Sequence, residues 1–362
     1  MIKILHVISD KNIGGAGRLL LNLLTEADRK QFEFLVVLPA KSRLVPKISA
    51  LGVKVVESDL SLWSLFTIIK AHKPHVVHTH ACAKARVAAR MFGAKTVNTR
   101  HCASDKHIRV PIYKKAIIRL FDTLFTGATI ATAHYVKSVL ANEGVPPRKI
   151  RVIINGSLPL TKFPEQKRIE IRQDLGYTKE DFLVGMVARL EFGKGHETMI
   201  EAAKICERNA PQIKFIVVGD GSKETELKKM ASGINNIKFL GFTDDVEKIM
   251  NLIDVNLNCS FISETSSLSL SEGMSVGAIP IVSDCGGNRF MAENCGFVFP
   301  KNNSEALARL LISISKDTSL QETLKKSATK RYYTLFTAKR MARENEEIYL
   351  NTLDYANKNL SK

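Results

Sequence analysis

Short apolar, β-branched runs alternate with segments of helical periodicity along this chain, and the alternation starts twice. Ile2–Ile8, 34–38, 53–56, 75–78, 95–99, 129–133 and 150–154 read as strands. Between them lie longer stretches such as 16–27 and 81–91, with apolar residues at helical spacing. An aperiodic stretch at 156–166, carrying Pro159 and Pro164, interrupts the pattern. It then resumes with strands at Phe182–Val187, 214–218, 237–240, Val255–Asn258 and Ile279–Ser283. Strands that are apolar throughout are buried on both faces, and helices between them imply parallel pairing. The expected fold is therefore α/β, with two doubly wound Rossmann-like domains at 1–160 and 161–336. A charged amphipathic helix follows within 337–362 and is expected to cross back to the first domain. Two such sheets facing a cleft would offer their carboxyl-end loops to a common ligand.

The 362 residues suffice for two cores, and 45% hydrophobic with 25% charged residues excludes a disordered chain. No uncharged apolar run approaches the roughly 18–20 residues of a membrane-spanning helix. The first ten residues are too short in apolar core for a signal peptide and read as a buried strand. Six cysteines without a CxxC pair suggest small buried thiols in a reducing cytosol, so a cytoplasmic protein is expected.

The strand-end loops carry the chemistry. Gly14-Gly15-Ala16-Gly17 follows the first strand and opens a helix. Glycines there admit close backbone approach, and free N–H groups at a helix start attract phosphate. A bare strand–helix turn is the alternative. The dinucleotide pattern GxGxxG fails at Leu20, and no acid ends the second strand, where Pro39-Ala40-Lys41 stands. A nicotinamide oxidoreductase is thereby disfavoured. In the second half, Arg189 and Lys194-Gly195 follow a strand and suit a diphosphate, the alternative being two solvated loop cations. Glu264 falls in a later strand-end loop, and Thr265 to Leu268 would open a helix whose dipole favours an anion. Glu272, two turns on, returns to the same helical face and could accept from a ribose diol; two solvated carboxylates are the alternative. His78-Thr-His80 and Arg100-His101 end two strands of the first half. Of these His101 is the better functional candidate, and His78 reads as a core or loop-orienting residue. No third metal ligand appears at useful spacing, and the chain has no Asp-x-Asp. No metal and no cofactor are expected.

Taken in order, these features resemble the retaining glycosyltransferases of family 4, which have the GT-B fold. The resemblance rests on Gly14–Gly17, the Val-Val-His78-Thr-His80 strand end, His101, Ile154-Asn155-Gly156, Arg189 and Lys194-Gly195. It continues through Val218-Gly-Asp-Gly221, Leu240-Gly241-Phe242, Glu264/Glu272, Gly277-Ala-Ile-Pro280 and Gly286-Gly287. Three positions differ from the family's usual pattern: Thr265 after the first glutamate, Leu158, and Phe290 where a glutamate is usual. The resemblance implies a hexosyl- or N-acetylhexosaminyltransferase using a nucleotide-sugar donor, a UDP-sugar ahead of a GDP-sugar. It implies that Arg189 and Lys194 neutralise the diphosphate, Glu264 contacts the donor sugar, and His101 faces the transferred sugar. Gly15 and Ala16 would approach the diphosphate, as would the backbone of Ser266, Ser267 and Leu268. Glu272 would bind the ribose, and Gly219 and Gly241 would border the nucleotide. The acceptor would be a saccharide or lipid-linked molecule in surface polysaccharide or glycoconjugate synthesis. A GT-B-fold nucleotide-sugar epimerase and a non-catalytic nucleotide-sugar-binding subunit are the alternatives.

Charge is distributed unevenly. Of the net +17, residues 1–165 contribute 26 basic and 10 acidic side chains, whereas 166–362 contribute 27 and 26. Within the first half, 106–121 mixes cations with Ile112, Ile117, Ile118 and Phe121. This is either an element for an anionic membrane surface or a sheet-covering helix with a solvated basic face. The former would place the protein peripherally at the inner membrane face. Nucleic acid is not expected as a partner, because no binding motif is present and aromatics total 7%.

Overall fold

The computed structural model describes residues 1–11, 13–101 and 110–360, the side chains of 355–360 excepted. The chain forms two compact units, Met1–Ser157 with the segment from Thr337 onward, and Leu158–Phe336.

The first unit runs β1 (Ile2–Ile8), α1 (Gly15–Glu26), β2 (Phe32–Pro39), α2 (Leu44–Ala50), β3 (Lys54–Ser58), α3 (Leu62–His72) and β4 (Val76–His80). It continues with α4 (Ala83–Met91), β5 (Lys95–Arg100), α5 (Ile112–Phe125), β6 (Ala128–Ala131), α6 (His134–Glu143) and β7 (Ile150–Val152). The described strands form a parallel sheet in the order β3-β2-β1-β4-β5-β6-β7. The chain thus winds outward from β1 on one side, then returns to place β4 on β1's other edge. Right-handed crossovers put α1 and α2 on one face and α3, α4, α5 and α6 on the other. The order reverses between β1 and β4, the position at which open α/β sheets take their ligands. Ile4, Leu5, Val7 and Ile8 of β1 are all buried, as a two-sided sheet requires.

The second unit comprises α7 (Glu165–Asp174), β8 (Phe182–Val187), α8 (His196–Asn209), β9 (Ile213–Val218), α9 (Glu224–Met230), β10 (Ile237–Gly241) and α10 (Val246–Leu252). It ends with β11 (Val255–Asn258), α11 (Leu268–Val276), β12 (Ile279–Ser283), α12 (Asn288–Ala292), β13 (Phe297–Phe299), α13 (Ser304–Ser315) and α14 (Thr318–Leu335). Its parallel sheet has the order β10-β9-β8-β11-β12-β13, so the reversal lies between β8 and β11. Phe215, Ile216 and Val217 of β9, one strand in from the edge, are buried, with α8 and α13 covering one face. The three-residue β13 is too short to show a period in sequence.

Helix α15 (Ala338–Leu360) belongs to the first unit. Ala338 N–H donates to the Ser157 carbonyl at 2.8 Å, and Arg340 donates to the Ile154 carbonyl. Further along, Glu346 accepts from the Asp28 N–H at 2.7 Å, and buried Tyr349 meets His78. No described helix is long and apolar enough to cross a membrane.

Candidate active site

In the second unit the two loops at the sheet's reversal converge on one ion pair. After β8 the chain passes exposed Arg189 and turns through Gly193-Lys194-Gly195 into α8. Gly195 has φ +78°, and a β-carbon there would stand 2.1 Å from the Cys259 carbonyl oxygen. Only glycine allows that approach of the β8 loop to the end of β11. Lys194 Nζ consequently lies 3.0 Å from Glu264 Oε2, in the loop after β11. The same carboxylate oxygen accepts from Ser260 Oγ at 2.9 Å and from Asn258 Nδ2 at 3.3 Å. Below it, Asn288 Nδ2 donates to Asn258 Oδ1 at 3.3 Å, and Ser283 Oγ donates to the Ser260 carbonyl. Gly287 N–H donates to the Glu264 carbonyl at 2.9 Å, which joins the loop after β12 to this network.

Glu264 also introduces α11. Ser267 caps that helix by accepting from the Leu270 N–H at 3.3 Å, and Leu268 is its first residue. Thr265 and Ser266 are buried, as is Glu272 on the helix. On the other side of β8, Gly219 has φ +137° and its N–H donates to the Gly241 carbonyl at 2.9 Å. A β-carbon on Gly219 would strike the Ala188 carbonyl at 2.1 Å, so this glycine lets the ends of β8, β9 and β10 close together. Lys194 with Glu264, and Gly219 with Gly241, are thus brought into contact, while the Arg189 side chain points into solvent-exposed space. Phe290, where the family's usual glutamate would stand, packs edge-on to Phe336 with Arg331 over its ring at 5.0 Å.

In the first unit Gly14 caps α1, and Gly15 and Ala16 form its first turn at the β1 side of the reversal. Across the reversal, β1 and β4 are in register with His6 beside His78. His78 is buried between the Tyr349 hydroxyl (Nδ1, 2.7 Å) and Thr99 Oγ1 (Nε2, 2.7 Å), in agreement with a packed residue. His80 Nε2 meets His6 Nδ1 at 3.1 Å, and its Nδ1 meets His101 Nε2 at 2.8 Å. His6, His78 and His80 bring ring nitrogens within 4.8 Å of one another, so β1 supplies a third histidine that linear spacing does not reveal. The rings are stacked, at 19° between His78 and His80 and 20° between His6 and His80, so they do not converge on one point. Five of their six ring nitrogens are hydrogen-bonded, to one another, His101, Tyr349 and Thr99, and His6 Nε2 alone is left over among the described residues, so the cluster is a hydrogen-bond network rather than a set of lone pairs aimed at one ion. Burial holds His6 down to about 3 and His101 to about 4, and pushes His78 and His80 well below the usual value.

Residues 106–109 of the basic segment lie outside the described residues; its remainder forms the start of α5. The side chains that sequence reasoning missed are His6, Asn258, Ser260, Ser283 and Asn288. Each of the last four stands at or just beyond the carboxyl end of β11 or β12, which is the signal that could have found them.

The comparisons agree with this geometry. Residues 13–157 match the family described as Glycosyltransferase Family 4, and residues 167–331 match Glycosyl transferases group 1. The chain is 31% identical over 284 residues to the UDP-Gal:alpha-D-GlcNAc-diphosphoundecaprenol alpha-1,3-galactosyltransferase of Escherichia coli, covering 74% of this chain and 73% of that enzyme. It is 30% identical to the alpha-monoglucosyldiacylglycerol synthase of Acholeplasma laidlawii, over 53% of this chain and 49% of that one. Among solved structures, Anabaena HepE in complex with UDP has the same fold, with a TM-score of 0.84 at 23% identity and coverage of 96% and 99%. Two doubly wound sheets, this likeness and the family matches together establish that the chain is a GT-B-fold enzyme belonging to the group 1/family 4 glycosyltransferases.

Proposed function

We propose that the enzyme transfers a hexosyl or N-acetylhexosaminyl group from a UDP-sugar to a lipid-linked or saccharide acceptor, with retention at the anomeric carbon. The observation that carries this reading is the Lys194–Glu264 pair at the reversal of the second sheet. Breaking the bond between the anomeric carbon and a diphosphate oxygen leaves negative charge on the leaving group. Lys194, Arg189 and the N-terminal end of α11 supply fixed positive potential there. Glu272 would accept from the ribose, and Gly15 and His101 are the first unit's candidates for the diphosphate and the transferred sugar. Glu264 is gripped by three donors on one oxygen, which suits a carboxylate that receives sugar hydroxyls better than a free nucleophile. Departure and attack on the same face of the sugar follow from that. The donor and acceptor class are supported by the Escherichia coli relative, whose name specifies UDP-Gal and a diphosphoundecaprenol-linked sugar.

The test is incubation with a panel of UDP- and GDP-sugars, following release of the free nucleotide. Turnover with UDP-sugars, lost by at least a hundredfold in Lys194→Ala and Glu264→Ala, is the expected result. Binding without release would favour a non-catalytic subunit, and interconversion of the donor without release would favour an epimerase.

The acceptor side is proposed to rest on an anionic membrane. Helices α3, α4 and α5 pack side by side on one face of the first sheet. This layer exposes Trp63, Met91, Ile112, Ile117, Leu120 and Leu124, with Ile112 87% and Trp63 79% accessible. The inner side of α5 packs Ile118 against the core and Phe121 beneath Arg86, so its outward stripe is surplus to the sheet. The three helices contain a single acid, Asp122, tied to Arg86 at 2.6 Å, while Lys84, Arg90, Lys114 and Arg119 are exposed. An apolar stripe flanked by cations fits the interface of anionic lipids, each cation adding about 1 kcal/mol. Salt-sensitive sedimentation with anionic vesicles, reduced in Ile117→Glu/Leu120→Glu, is expected; equal retention on neutral vesicles would sink this part.

A further inference from the structure

The four histidines of the first unit form a chain with a direction. At neutral pH all four are uncharged, with burial and the neighbouring imidazoles as the causes. A neutral imidazole has one donor and one acceptor, so in a row of them each bond fixes the next. The row here is His6 Nδ1 to His80 Nε2, then His80 Nδ1 to His101 Nε2. Its sense is set at the closed end. His6 is fully buried on β1, and its Nε2 has no hydrogen-bond partner among the described residues. If Nε2 carried the proton, a buried N–H would be orphaned; with the proton on Nδ1, only a lone pair goes unused. Orphaned buried N–H groups are the rarer and costlier state. His6 Nδ1–H therefore donates to His80, which leaves His80 its proton on Nδ1 to donate to His101.

We propose that His80, oriented by His6, is a positioning residue that fixes neutral His101 with its proton on Nδ1. His101 then carries an N–H donor, not a lone pair, on the nitrogen that does not face His80. The kinetic consequence rests on the reading of His101 as the residue that faces the transferred sugar. A donor held in one tautomer meets a hydroxyl or ring oxygen without reorganising during the reaction. His78 stands outside the row, since Tyr349 and Thr99 hold its two nitrogens; it contributes stacking on His80 at 4.7 Å.

The test uses the intact protein labelled with 15N-histidine, with ring signals assigned by single substitutions. The wild type should show His101 neutral with Nδ1 protonated from pH 5.5 to 8. In His80→Leu, His101 should shift to the Nε2–H form common in free imidazole. The kcat for the donor should fall roughly tenfold to a hundredfold, with KM changed less than threefold. His80→Asn, whose amide N–H stands near the lost Nδ1, should restore the tautomer and most of the kcat. An Nε2–H signature for His101 in the wild type would overturn the proposal, and so would equal impairment of His80→Leu and His80→Asn. Should the tautomer pattern hold while His101→Ala turns over normally, the relay stands and the sugar-facing role of His101 falls.

Discussion

Gly15 and Gly17 are two residues apart in the same helical turn, yet the structure gives them different reasons to be glycine. A β-carbon on Gly15 would meet no atom within 4 Å, whereas one on Gly17 would stand 2.9 and 3.0 Å from the methyl carbons of Leu44. Leu44 is fully buried, so it cannot swing aside freely. Gly15→Ala is thus free of steric cost and gains helix propensity, worth up to about 1 kcal/mol. Gly17→Ala gains about the same 1 kcal/mol but overpacks, at roughly 1–3 kcal/mol, for a net loss of up to about 2 kcal/mol. With about 2–4 °C per kcal/mol for a unit of this size, Gly15→Ala should melt unchanged or up to about 4 °C higher. Gly17→Ala should melt up to about 8 °C lower. Activity should order them the other way. If a diphosphate comes close to the N-terminus of α1, a methyl on Gly15 occupies its path, and kcat/KM should drop at least tenfold. Thermal melting by circular dichroism and UDP release on the same two variants make the measurement. A Gly15→Ala enzyme with wild-type turnover would refute the reasoning, because open space at Gly15 would then serve no ligand.

Two further outcomes follow from buried charge. Arg172 Nη2 lies 2.9 Å from Asp254 Oδ2, both side chains nearly buried, while Lys325 and Arg168 stand farther off at 3.6 and 3.9 Å. Arg172→Met should lower the unfolding free energy in urea by about 2–4 kcal/mol, because Asp254 remains buried with weaker partners; a change under about 0.5 kcal/mol would show that Lys325 and Arg168 suffice. Acid should destabilise the protein early: burial holds His6 to about 3 and His101 and His196 to about 4, against about 6.5 in the unfolded chain. The unfolded state then binds more protons, so stability is complete above pH 6.5 and declines by about 1.4 kcal/mol per pH unit per histidine on the way to pH 4. Urea midpoints at pH 7 and pH 5 check this, and His6→Phe should flatten the slope.

Sequence made the sheets legible because their strands are apolar end to end. Phe182–Val187, Val255–Asn258 and Ile279–Ser283 have in the structure the ends that their composition suggests. The site was legible as separate fragments. Lys194 and Glu264 are 70 residues apart, and their contact exists because β8 and β11 are neighbours in the sheet, a fact of strand order that periodicity does not encode. His6 was invisible for a different reason: within the run Ile2–Ile8 it reads as one polar residue of a buried strand, and only its register with β4 gives it partners. Helix α5 is apolar on two sides, and sequence alone cannot say which side the sheet takes. Packing resolves it, assigning Ile118 to the core and leaving Ile117 and Leu120 exposed.

The Lys194–Glu264 pair has a further consequence for the donor cycle. A diphosphate that approaches Lys194 also approaches a carboxylate 3.0 Å from that lysine, and the two anions repel. With a complete donor, the sugar's hydroxyls can donate to Glu264 and offset the repulsion. With UDP alone nothing offsets it, so Glu264 should weaken product binding more than donor binding. Glu264→Gln keeps an oxygen for Ser260 and Asn258 but removes the charge. For a pair with side chains 26% and 13% exposed, the relief is about 1 kcal/mol, discounted for solvent screening. The Kd for UDP in isothermal titration calorimetry should therefore fall about three- to tenfold. Turnover should fall at least tenfold, since the sugar loses its charged acceptor. Lys194→Met, in contrast, should weaken UDP and slow turnover together. Unchanged or weaker UDP binding in Glu264→Gln would mean that the diphosphate does not compete at Lys194, and the assignment of that lysine to the leaving group would have to be abandoned.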